Sequence, residues 1–304
     1  TLDLNINNTL RVEGRVQTHS GDLSLLSRDL ALGDSGQIIS GHNMQIELSG
    51  SLTNAGDIAV VPALDGANQW IAVDAGGLVL EAAGAIVNSG RIQAASTLGL
   101  TGESFTQTQS GVLASFGDLT VALKSAADIN GQIVSEGALS LTADSADIVS
   151  GATLEAANDL TVTVDGALDI AGVTGADLVR TLSASTVTLI AQTVTGDAAA
   201  VVTAQDLSVE ALGAINWNGL LSAGHVVMNA SDIHVLENGR IQGDTLELQS
   251  QALFEILGDV IGDDIAILSD KFTIQDTGRV FSARNLSVNS RNFNNAGQLH
   301  LLTE

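Results

Sequence analysis

The sequence predicts an all-β fold, a right-handed parallel β-helix (β-solenoid) of about 14 triangular coils. Three observations predict it. An alternating apolar pattern recurs about every twenty residues from Leu2 to Leu299, each copy repeats the same set of apolar positions, and turns rich in Asn and Gly recur between the same two of them. A fixed period of this size marks a solenoid, whose units bury their apolar sides only against their neighbours.

The first face of each coil begins at an apolar anchor: Leu2, Leu23, Met44, Leu78, Leu98, Leu119, Leu139, Leu160, Val187, Leu207, Val226, Leu246, Ile265 and Leu286. Two residues on, every coil is apolar again, from Leu4, Leu25 and Ile46 to Met228, Leu248, Ile267 and Val288. Residues between, such as Ser24, Gln45, Thr120, Ser140, Thr161 and Ser208, are mostly small or polar. A period of two describes a strand with one buried side. Anchors lie 19 to 21 residues apart except at two steps, of 34 residues (Met44 to Leu78) and 27 residues (Leu160 to Val187).

A second apolar position follows: Leu10, Leu32, Leu52, Ile86, Phe105, Ile129, Ile148, Leu168, Val194, Ile215, Ile233, Phe254, Phe272 and Phe293. A third is Val16, Ile38, Ile58, Ile92, Leu113, Ile133, Leu154, Val173, Val201, Leu220, Ile241, Val260, Val280 and Leu299. Turns such as Asn54-Ala55-Gly56, Asn88-Ser89-Gly90 and Asn238-Gly239 separate the two, and Gly and Asn there suggest left-handed backbone at sharp corners. Three strands and three corners make one coil. Stacked coils pair in parallel, and the handedness of parallel crossovers makes the helix right-handed. Long 3.6-period segments are missing, and a β-sandwich would not hold one register through fourteen copies.

The repeat runs without a linker, so residues 1–304 read as one continuous domain with interruptions at 61–76 and 174–185. Both ends follow the interior pattern, which suggests a fragment of a longer array, and no leader opens the sequence. No segment has the roughly 20 apolar residues that span a bilayer, so membrane insertion is not expected. The net charge of -24, from 35 acidic and 11 basic side chains, argues against nucleic acid as a partner, because too few cations exist to neutralise phosphates. Absence of cysteine excludes disulfides and thiolate metal sites.

The column before the anchors holds Asp22, Asp118, Asp159, Asp206 and Asp264, never on neighbouring coils, as repulsion between carboxylates about 4.8 Å apart demands. Asp259, Asp263 and Asp264, or Asp144 and Asp147, could attract calcium, but no calcium loop surrounds them and solvated corners explain them better. The five histidines lack spacing for a shared metal, and no cofactor is expected. Glycoside cleavage needs a carboxylate pair and usually aromatic platforms; aromatics are 3 %, so an enzyme is not expected.

The long step at 61–76 supplies the candidate binding loop, Leu64, Asp65, Asn68, Gln69 and Trp70, with the only proline and one of two tryptophans. Two readings stay open: an exposed Trp70 anchor, or a hairpin that covers the flank and buries it. Asp177 and Arg180 are the secondary candidates, in a corner of about seven extra residues. Trp217, two residues after the inward Ile215, is expected in the core.

Ser51-Leu52-Thr53-Asn54-Ala55-Gly56-Asp57-Ile58, Ala85-Ile86-Val87-Asn88-Ser89-Gly90-Arg91-Ile92 and Asn292-Phe293-Asn294-Asn295-Ala296-Gly297-Gln298-Leu299 resemble filamentous haemagglutinin repeats. The resemblance implies a two-partner-secretion exoprotein, an adhesin or contact-dependent growth inhibition protein, on the surface of a Gram-negative bacterium. It implies an outer-membrane transporter as secretion partner. The first reading of function is a non-catalytic stalk or adhesive filament segment presenting a distal adhesive or toxin region. The second is a receptor-binding segment contacting a target-cell protein or glycan, and the third a polysaccharide-cleaving β-helix enzyme.

Overall fold

The computed structural model describes residues 1–61, 76–171 and 182–302. Among them every regular element is a strand and the strands pair in parallel, as a β-solenoid of about 13 turns. The chain divides into two compact units, residues 1–144 with 153–158, and residues 145–152 with 159–304.

In the first unit the first-face strands include Leu23–Leu32, Met44–Leu48, Leu78–Ala82, Leu98–Gly102 and Leu119–Leu123. They pair anchor to anchor: Leu2 with Leu23, Met44, Leu78, Leu98, Leu119 and Leu139 in turn. The 34-residue step leaves the register intact, since Met44 meets Leu78. From Leu23 to Leu139 each anchor is at most 1 % exposed. Such a side chain contributes about 1.5–3 kcal/mol by leaving water. The second unit repeats this through Leu160, Val187, Leu207, Val226, Leu246, Ile265 and Leu286.

The second face carries two inward ladders. In the first unit one runs Leu10, Leu30, Leu52, Ile86, Phe105, Ala127 and the other Val12, Leu32, Asn54, Asn88, Gln107, Ile129. Leu32 and Ile129, expected in the ladder of Leu52 and Phe105, belong to the neighbouring one, and so does Ile148, which pairs with Ile170. Both positions point inward, so the repeat pattern leaves a choice that the length of the preceding corner decides. In the second unit Phe254, Phe272 and Phe293 stack, with centroids 5.5 and 5.2 Å apart.

The third face matches expectation through Val16, Ile38, Ile58, Ile92, Leu113, Ile133 and Leu154. In the second unit it is displaced by one residue: Val202 and Leu221, not Val201 and Leu220, stack with Ile241, Val260, Val280 and Leu299. Val201-Val202 and Leu220-Leu221 are apolar doublets, and a one-residue slip exchanges the two sides of a strand. Val173 lies outside the described residues. The third strand of its coil is Leu182–Ser183, paired with Val202–Thr203, inside the segment expected to be an insertion.

The corners correct a further expectation. Among the described residues the glycine with left-handed backbone is Gly151, with φ +95°, which is not in an Asn-Gly turn. Corner glycines answer to crowding. A Cβ on Gly56 would overlap the carbonyl oxygen of Gly36, and one on Gly90 that of Gly56. These carbonyls also accept the N–H groups of Asp57 (2.9 Å) and Arg91 (2.8 Å), so they cannot withdraw. Gly90→Ala is therefore expected to cost about 1–3 kcal/mol in urea unfolding. Gly99→Ala, which meets open space, should change stability by less than about 0.5 kcal/mol. Equal effects would show that crowding does not select the corner glycines.

Buried serines tie the third face to the next first face. Ser135 Oγ lies 3.0 Å from the Ala138 carbonyl and 2.8 Å from that of Gly117; Ser40 and Ser282 repeat the arrangement.

Candidate functional site

The corner column before the first face alternates in charge as its sequence suggested, and Asp22, Asp118, Asp206 and Asp264 each meet a polar group of the next coil. Asp22 Oδ1 lies 2.5 Å from His42 Nδ1 and accepts the Asn43 backbone N–H at 3.1 Å. Asp118 accepts the Ala138 N–H at 2.9 Å. Asn285 Nδ2 donates to Asp264 at 2.5 Å, and His225 sits 3.8 Å from Asp206 and 3.7 Å from Glu247. Asp147 stacks in register on Asp169 of the second face, so the alternation does not extend there.

The densest acidic cluster is paired. Arg279 binds Asp259 with two hydrogen bonds of 2.7 Å, and Arg284 reaches both Asp263 (3.4 Å) and Asp264 (2.8 Å). All are partly exposed, so each pair contributes only about 0–1 kcal/mol, but the guanidinium groups take the place a cation would occupy. On the second face His234 Nδ1 lies 3.2 Å from Glu255, whose other oxygen accepts Gln275 Nε2 at 2.5 Å.

Leu64, Asp65, Asn68, Gln69, Trp70, Asp177 and Arg180 lie outside the described residues. The roots of the first interruption are placed. Val61 donates its N–H to the Ser40 carbonyl at 3.0 Å, and Gly77 donates to Asn43 Oδ1 at 3.2 Å and accepts the Met44 N–H at 3.0 Å. Gly76 packs so closely on His42 that a Cβ would overlap its carbonyl group. The sequence analysis did not connect Asp22, His42 and Asn43 with this interruption. The signal was available in the 34-residue step, which starts at Met44, the residue after Asn43. A groove of about 600 Å³ opens there, lined by Thr1, Asp22, Ser24, Asn43, Gln45 and Thr97 among others.

Asp22 is the titratable group that this corner perturbs. The hydrogen bond from His42 holds its carboxyl below the ordinary range, with the Asn43 N–H next in weight and burial opposing weakly. A lowered folded-state value makes the contribution to stability present above the unfolded pKa and lost as pH falls through the folded one. His42→Ala is expected to move the Asp22 midpoint upward in a ¹³C carboxyl NMR titration. An unmoved midpoint would exclude His42 as the principal cause.

A second groove, of about 520 Å³, lies in the second unit, with Gly243 and Gly262 among its lining residues beside Gln242, Asp244 and Phe281. Phe281 stacks on His300 with ring centroids 5.0 Å apart, nearly parallel.

A family model described as "Haemagglutinin repeat" matches residues 1–61, 63–130, 114–172, 134–192, 179–252 and 273–301. No curated protein and no solved structure matches the chain.

Proposed function

Because the chain belongs to the haemagglutinin repeat family, we propose that it is a non-catalytic stalk segment of a secreted bacterial surface filament, presenting an adhesive or toxic region located elsewhere in its parent. Family and fold fit an adhesin-like filament segment. The carrying observation is the pairing of successive coils: each unit is held by parallel ladders between adjacent coils, and coils of one register can be added without changing the contacts of the rest. Export through an outer-membrane two-partner-secretion transporter and placement on a Gram-negative cell belong to the same proposal. Coils that need only their neighbours can fold progressively as the chain emerges.

A receptor-binding role is the second reading, favoured by the 34-residue step that breaks an otherwise regular period and carries Trp70. Beads coated with the 304-residue chain, and with the chain lacking 61–76, distinguish the two on target cells. A stalk binds no better than uncoated beads in either form. Adhesion by the full chain that disappears on deletion, with the β-sheet circular dichroism unchanged, would replace the stalk reading with the receptor-binding one.

A further inference from the structure

Apolar ladders say which side of a strand faces inward but not which coil is next. Met44, Leu78, Leu98 and Leu119 follow one another in the first-face ladder, and shifting one segment by a whole coil would set a similar side chain against a similar neighbour. Chain length normally removes the ambiguity, because about twenty residues go round once. Between Met44 and Leu78 there are 34, and the slack no longer forces the next coil into place.

At that junction the second face carries amides in place of aliphatic side chains. Asn54, Asn88 and Gln107 stack in register, each at most 1 % exposed, between Leu32 and Ile129. Asn54 Nδ2 donates to Asn88 Oδ1 at 2.9 Å, across the long step, and to the Arg91 carbonyl at 3.2 Å. Asn88 Nδ2 reaches the Val112 carbonyl at 3.2 Å, and Gln107 Nε2 reaches those of Gly111 (2.9 Å) and Gln132 (2.6 Å). Every amide thus reads the coil that follows it. Among the described residues, the buried amide oxygens without a partner are Asn54 Oδ1 and Gln107 Oε1, which belong to the two members that border Leu32 and Ile129. We propose that the inward amide column Asn54, Asn88 and Gln107 is a register key, fixing which coil stacks on which across the long step where chain connectivity does not. Skipping the Leu78 coil would expel Asn88 and set Asn54 in its place beside Gln107, where Asn88 now makes no hydrogen bond to the Gln107 amide, so the 2.9 Å bond from Asn54 to Asn88 would be lost without a replacement. Buried polar groups specify alignment in this way when misalignment strands them without partners.

The chain has no cysteine, so paired cysteines can report register. Thr53 and Val87 are outward neighbours, and Val87 and Thr106 are the next pair. Their Cα spacing of about 4.8 Å permits a disulfide, whereas Thr53 and Thr106, about 9.6 Å apart, lie beyond bridging range. With the amides present, the full chain carrying T53C and V87C should oxidise internally and the chain carrying T53C and T106C should not. In Asn54→Leu/Asn88→Leu/Gln107→Leu the T53C–T106C crosslink, within or between chains, should rise at least about tenfold; continued exclusive T53C–V87C linkage would overturn the proposal. A second arm decides even where the triple variant does not fold. Ile129→Asn places a donor above Gln107 Oε1 and should lower Tm by less than half as much as Ile133→Asn in the same coil. Equal losses would show that the column does not satisfy its own amides, and the register key would be abandoned.

Discussion

Replacing Leu100 with aspartate is expected to unfold the coils around it and to lower stability by about 4 kcal/mol or more in urea titration. Leu100 is fully buried, between Leu80 of one coil and Val121 of the next. Truncation of such a leucine alone costs about 2–5 kcal/mol, and a carboxylate adds the cost of a charge facing only aliphatic neighbours. The loss should be local, because a solenoid is held by nearest-neighbour contacts. Hydrogen exchange should accelerate first at Leu78–Ala82, Leu98–Gly102 and Leu119–Leu123 while Leu23–Leu32 keeps its protection. Uniform loss of protection would mean that the first unit is one cooperative block. Thr120→Asp supplies the control: this residue is exposed, between Gly99 and Ser140, and should change stability by less than about 0.5 kcal/mol.

The same geometry explains what the sequence could and could not reveal. The first-face ladders were legible residue by residue, even across the 34-residue step, because a single apolar alternation recurs there without a competing choice. Where two apolar residues stand side by side, as at Val201-Val202 and Leu220-Leu221, periodicity has no preference and only pairing with Ile241 decides. Asn54 and Asn88 were visible as a recurring motif, but turn propensity suggested a backbone role. Their real place, inside the second-face ladder, follows from a register that no single repeat contains. Corner glycines share this cause: the carbonyl that excludes a Cβ at Gly90 comes from Gly56, 34 residues earlier. The site was less legible than the fold. Asp22 and His42 come together only when consecutive coils stack, because 20 residues separate them in the chain.

Trp217 tests that cross-coil reading most severely. Among the described residues it is the largest fully buried side chain, and its ring occupies the space above Gly196, its register partner, where any Cβ would overlap ring carbons. Trp217→Ala is expected to cost about 3–5 kcal/mol through the cavity it leaves. Gly196→Ala should cost about 1–3 kcal/mol, because the ring cannot move away inside a packed ladder. The two losses should not add. In Gly196→Ala/Trp217→Leu the smaller side chain vacates the space the new methyl needs, so the double variant should be at least about 1 kcal/mol more stable than the sum of its single changes implies. Additive losses would place the ring elsewhere. Trp217→Phe probes a different property of the same residue. The indole Nε1 is buried without a hydrogen-bond partner, and leaving such a donor unmet costs about 1–3 kcal/mol. Phenylalanine removes that donor while keeping most of the ring, so its net cost should fall below about 1.5 kcal/mol, well short of the alanine variant. A phenylalanine variant as unstable as the alanine one would mean that the indole N–H is satisfied in solution and that Gly196 and Trp217 do not meet as notch and ring.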